Sequence, residues 1–208
     1  STEGLGDLQA DPVRGHAMFL SYRDQLRQPT GDTPELRASY SSLATHVGEQ
    51  YAHMTRPRDQ GGMGLTHEVT AEDPYPTAAA MAQDVAGGRI RTLATATTGK
   101  HELFSDETND QFRAVHDVFG HAATGRGFSR HGEEAAFRSH RQMFPPEAHP
   151  ALTSELRGQN SYLNYGPGGF ASQDGNIVGL PKWAEGDEQP PSAPTSRVRR
   201  TGAQGRLF

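Results

Sequence analysis

Apolar residues recur along this chain at helical spacing in several separate stretches. Asp11-Pro12 has the form of a helix start, an acidic N-cap followed by proline at the first helical position. Behind it Met18, Phe19, Tyr22 and Leu26 fall on one face. Thr33-Pro34-Glu35 repeats the start signal, and Leu36, Tyr40, Leu43, Val47 and Tyr51 mark the inner face of a second helix. Asp73-Pro74-Tyr75-Pro76-Thr77 leads into a third, which carries Met81 and Val85 and stops at Gly87-Gly88. Residues 89–97 partly alternate polar and apolar and predict the one plausible strand. Three more helices follow, over roughly 107–123, 130–144 and 147–164. Residues 55–75 are rich in Gly, Pro and Arg and predict a long loop, of the kind that often acts as a lid. Its Gly61-Gly62-Met63-Gly64 is followed by no Gly-Lys-Ser/Thr, so it is not a phosphate cradle.

The pattern therefore predicts a mainly α fold. A single helical domain spans 11–184, with at most a minor β element and long loops. Residues 1–10 read as a flexible lead-in, and 185–208 have the composition of a disordered tail. Only 33% of residues are hydrophobic, so the core must come from the few periodic segments. A net charge of -5 gives no electrostatic basis for a nucleic-acid or anionic-membrane partner. No apolar run approaches a membrane span and no signal peptide is visible, so a cytoplasmic protein is expected. Cysteine is absent, which excludes disulfides, thiolate metal sites and cysteine nucleophiles. With ten histidines present, any transition-metal site must use His and carboxylate.

The richest segment is His116-Asp117-Val118-Phe119-Gly120-His121. Phe112, Val115, Phe119 and Ala122 form the core stripe of its helix, and His116 at the edge of that stripe can point inward. His121 lies five residues on, about 140° further round an unbroken α-helix. For the two rings to meet, the helix must break or loosen at Gly120. Asp117 is available to orient a ligand. The bland alternative is two unrelated histidines, one half-buried and one exposed.

In the last helix Ala148, Leu152, Gln159, Tyr162 and Leu163 share a face, with Glu155 in its middle. A buried carboxylate is costly unless paired or metal-bound. Glu155 is therefore the expected third ligand, and an ion pair with Arg113 or Arg157 is the competing reading. On the 130–144 helix Glu133 and His140 lie on the side of Phe137 and Phe144, as catalytic or ligand-orienting groups or as extra ligands of a dinuclear site. Glu134 points elsewhere and suits an i,i+4 surface pair with Arg138. Phe119, Phe137, Tyr162 and Tyr165 are candidates to line a pocket, and Arg113, Phe119, Gln159 and Tyr162 to hold a substrate.

Two histidines and one carboxylate form the facial triad of non-haem iron enzymes. The expectation is a mononuclear Fe(II) oxygenase or hydroxylase using dioxygen and a small-molecule substrate. A Zn(II) hydrolase with Glu133 or Glu134 as general base is the alternative. A third possibility is a non-enzymatic protein whose metal ties helices together.

The His-Asp-Val-Phe-Gly-His segment, followed by Glu155 in a Thr-Ser-Glu-Leu context, resembles the iron site of the pterin-dependent aromatic amino acid hydroxylases. The resemblance covers about residues 105–165. It implies His116, His121 and Glu155 as iron ligands, a mainly helical catalytic domain, and a pterin as co-substrate. The wider block from Asn109 through Tyr162 also resembles uncharacterised proteins of actinobacteria and their phages.

Overall fold

Each principal helix begins where its sequence supplies a cap. Asp11 accepts the backbone N–H groups of Val13 and Arg14 at the start of α1 (Pro12–Arg27). Thr33 caps α2 (Pro34–Thr55), Thr77 caps α3 (Ala78–Ala86), Ser105 caps α5 (Asp106–Val115) and Ser129 caps α6 (Arg130–Arg141). These side chains satisfy N–H groups that have no partner within the helix. The structure, a computed structural model, describes residues 10–28, 31–98, 101–166, 177–188 and 190.

The chain is mainly helical, with a two-stranded parallel sheet. β1 (Thr66–Thr70) pairs with β2 (Arg89–Leu93), from Thr66 opposite Arg89 to Thr70 opposite Leu93. α3 crosses between them, making a small β-α-β unit. A short α4 (Thr95–Thr98) follows. α5 runs directly into a π-helical segment, His116–Ala122. The last helical rod is composite: α7 (His149–Thr153), a second π segment (Ser154–Gly158) and α8 (Gln159–Tyr165).

α2 is the central support, lying against both α5 and α7, while α6 packs on the first π segment and α1 on α8. Leu43, Val47, Met54, Phe112, Val115, Phe137, Leu152 and Leu156 belong to one continuous buried cluster between these elements. Its burial is the main driving force for the packing. No helix among the described residues is long and apolar enough to cross a membrane.

Three stretches differ from expectation. The strand expected over 89–97 ends at Leu93, and Thr95–Thr98 is a helical turn. β1 lies inside 55–75, read from sequence as loop and lid. Its Thr66, Val69 and Thr70 are β-branched, but the neighbouring glycines and arginines hide them, and its partner is reached only across α3. The lead-in and most of the expected tail lie outside the described residues. The beginning of that tail is packed: Glu185 is buried, and Asp187 pairs with Arg138.

Asp84 at the end of α3 ties the β-α-β unit together. It accepts from Arg89, Arg91 and the Tyr75 hydroxyl. The Arg89 hydrogen bond, helped by Tyr75 and Arg91, holds its carboxyl down at about 2. A lowered carboxylate pKa stabilises the fold above the unfolded value, near 4, and that contribution disappears as pH falls towards 2. Allowing for solvent screening, Asp84→Asn should cost about 1 kcal/mol at pH 7. In urea melts the deficit should shrink through pH 4 and vanish near pH 2; a deficit independent of pH would contradict this role.

Candidate metal centre

The His116–Ala122 segment resolves the spacing problem in an unexpected way. The helix does not break at Gly120. It widens into π turns, in which the hydrogen bond runs from residue i to i+5. Ala123 N–H to the Val118 carbonyl, 2.9 Å, is one such bond. Residues five apart then stack, and the His116 and His121 rings come together edge to face with centroids 4.9 Å apart. The helix thus loosens, as the spacing required, and Gly120 serves the packing. A Cβ there would lie 3.1 Å from the His116 ring and 3.3 Å from Ala136 Cβ, so glycine leaves the ring its place.

Glu133 completes the cluster from α6. Its Oε2 stands 3.3 Å from His121 Nε2 and 3.7 Å from His116 Nε2. Among the described residues, His116, His121 and Glu133 are the group whose ligand atoms all lie close enough to hold one metal ion, within 4.8 Å of one another. Ligand atoms sharing one metal at ~2.0–2.2 Å sit roughly 3–3.6 Å apart, octahedral to tetrahedral, near these two separations. All three side chains are essentially inaccessible to solvent. Neither carboxylate oxygen of Glu133 has a hydrogen-bond partner. A buried carboxylate without donors is expensive, and a cation removes the expense.

The hydrogen-bond network fixes where the ring protons are. The Gln50 amide nitrogen on α2 donates to the Met143 carbonyl, 3.3 Å, which turns Oε1 of the same amide towards His140 Nε2, 2.8 Å. That oxygen can only accept, so His140 carries its proton on Nε2. Burial first, then the neighbouring histidines, push the His140 pKa well below its ordinary value, so the ring is neutral and its Nδ1 is bare. His116 Nδ1 lies 3.3 Å from that nitrogen and must donate to it. The Nε2 of His116 then faces Glu133. His121 Nδ1 donates to the Arg126 carbonyl, 3.2 Å, which turns its Nε2 to the same carboxylate. Such outer contacts hold metal-binding histidines in one tautomer and raise their basicity.

The titration behaviour agrees with a cation-seeking site. Burial opposes the Glu133 charge, but the combined pull of His121 and His116 outweighs it and the carboxyl titrates at about 2. Burial also disfavours charged His121, but Glu133, Asp117 and the Arg126 carbonyl raise its pKa overall. Burial keeps the His116 pKa low. A proton on His121 thus balances Glu133 when no metal does.

Glu155, the glutamate expected as third ligand, is placed elsewhere. It is buried in the second π segment, where Tyr40 donates to its Oε1 at 2.5 Å and His101 Nε2 lies 3.2 Å from the same atom. His101 Nδ1 accepts the backbone N–H groups of Leu103 and Phe104, so the proton on Nε2 points at the carboxylate. The pairing that sequence reasoning assigned to metal or arginine is therefore met by Tyr40 and His101. The expected arginines are engaged otherwise: Arg157 with Glu134, and Arg113 with the Leu93 carbonyl. The Arg138–Glu134 pair forms as expected, but Glu134 is buried rather than on the surface.

Of the other candidates, Asp117 is buried beside the histidines and Phe119 faces the His140 ring, 6.3 Å between centroids. Gln159 and Tyr162 belong to α8, where the Tyr162 ring packs at a tilt against Phe19 and Tyr22 of α1. Phe137 lies in the core under the Arg157 guanidinium. Sequence reasoning missed Gln50, Tyr40 and His101. Gln50 falls on the α2 stripe with Leu43 and Val47 but is polar and so carried no core signal, His101 lies before a helix start, and Tyr40 read simply as core. No protein-family model, curated protein or solved structure matches the chain.

The Gln50–His140–His116 relay makes a specific prediction. Gln50→Leu should leave the fold intact and weaken metal binding about ten-fold, measured by chelator competition. Unchanged affinity would show that the relay does not position His116.

Proposed function

We propose that this protein is a mononuclear non-haem iron(II) oxygenase acting on a small molecule, with His116, His121 and Glu133 as the metal ligands. The observation that carries the reading is the convergence of His116 Nε2 and His121 Nε2 on one oxygen of the buried Glu133 carboxylate. Two histidines and one carboxylate leave coordination positions for exchangeable ligands, as iron(II) oxygenases require. Iron so held supplies redox chemistry towards dioxygen that no side chain of this chain provides. The residues around it keep the site dry and the ligands ordered. Phe112 and Phe119 flank the His116–His140 pair, and His140 holds the His116 proton away from the metal face. Asp117 and Glu133 place negative charge beside His121, which favours a divalent cation there.

Metal analysis after growth without supplements tests the assignment. About one iron per chain is expected, lost in His121→Ala and in Glu133→Ala and retained in Glu155→Ala. The iron-loaded protein should consume oxygen in the presence of ascorbate, and Glu133→Ala should not. Stoichiometric zinc with no oxygen uptake would replace the oxygenase reading by a hydrolytic one. Full metal content in the His121 and Glu133 variants would overturn the site itself.

A further inference from the structure

A second polar site lies on the other side of α6. Glu133 and Glu134 are adjacent, but Glu134 faces a separate cavity of about 170 Å³ between α1, α6, α8 and the segment 177–188. Three guanidinium groups meet there. Arg14 comes from α1, Arg138 from α6 and Arg157 from the second π segment. Arg14 and Arg157 have side chains only 7% and 2% exposed.

The three converge on one oxygen, Asp187 Oδ1. Arg138 Nη2 is 2.8 Å from it, and Arg14 Nη1 and Arg157 Nη2 are each 3.6 Å away. The two counter-charges are held very differently. Glu134 is 11% exposed and gripped by both Arg138 and Arg157. Asp187 is 67% exposed. Two carboxylates against three guanidinia leave one positive charge in excess. With Arg130 and Asp11, which also line the cavity, the excess is still one. The crowding is visible in Arg14, whose pKa is lowered by burial and then by the Arg157 charge. Asn160, Asn164 and Tyr165 add neutral polar groups to the wall.

Buried Glu134 answers Arg157, and Arg14 and Arg157 also donate to the Trp183, Ala184 and Gly186 carbonyls, so the positive charge left over faces the exposed Asp187. Arginine forks are suited to carboxylate and phosphate oxygens. A surface partner in such a pair is weakly held because water competes for it. We propose that this cavity binds the oxyanion group of a small molecule, a carboxylate or a phosphate, and that the Asp187 carboxylate occupies the position until that ligand displaces it. Arg14 and Arg157 form the floor, Arg138 the movable rim, and the amides and Tyr165 contact the rest of the molecule. The site is independent of the metal centre: no ligand of the metal contributes to it.

Titration calorimetry on the full chain, with inorganic phosphate and succinate as probes, tests this. Asp187→Ala removes the internal competitor and should bind at least one probe about ten-fold more tightly than the native chain. Adding Arg138→Gln to that variant should abolish the gain. Phosphate preferred over succinate assigns a phosphoryl group, and the reverse assigns a carboxylate. If Asp187→Ala binds neither probe, the arginines only clamp the 177–188 segment and the proposal is wrong. Should that variant not fold, the native chain supplies the readout. Either probe should raise its Tm, and Arg138→Gln should remove the rise; no rise with either probe overturns the proposal.

Discussion

The Glu133 carboxylate is the constraint on which the centre depends. It is buried and faces two histidine nitrogens. Charge in that position is stable only beside a positive partner. A proton on His121 can serve, and a divalent metal serves better because it satisfies both histidines at once. Much of the surrounding structure supports this arrangement. α6 delivers Glu133 and His140, α2 delivers Gln50, and the widened end of α5 delivers His116 and His121.

The widening is what makes the pair possible. On a regular α-helix His121 would point away from His116, and an i,i+4 pair would be the usual solution. This chain uses π turns instead, with Gly120 leaving room for the His116 ring against Ala136. π segments cost hydrogen-bond geometry and persist where packing or function holds them. The second one, Ser154–Gly158, carries both Glu155, held by Tyr40 and His101, and Arg157, held by Glu134. Both distortions thus place charged groups in the interior.

Much of the fold was legible in the sequence because caps and apolar stripes are local signals. Asp11-Pro12 and Thr33-Pro34 start helices where they were expected to, and Gly87-Gly88 ends one. β1 was not legible, since parallel pairing across α3 leaves no local mark. At the centre, His116 and His121 stood out through their shared motif, and Glu133 through its helical register with His140. Choosing between Glu133 and Glu155 was beyond the sequence. Both sit on apolar faces, and only the three-dimensional arrangement reveals that Tyr40 and His101 already satisfy one of them. The same limit hid the arginine cavity, whose members are spread from Arg14 to Asp187.

The most direct test of the account is the position of the metal itself, from anomalous scattering at the iron edge in crystals of the Fe(II)-loaded protein. The account predicts one ion, bonded at ~2.0–2.2 Å to His116 Nε2, His121 Nε2 and a Glu133 oxygen, with Glu155 still on Tyr40 and His101. An ion bound by Glu155 with Glu133 left out, or no ion between the two histidines, would contradict it.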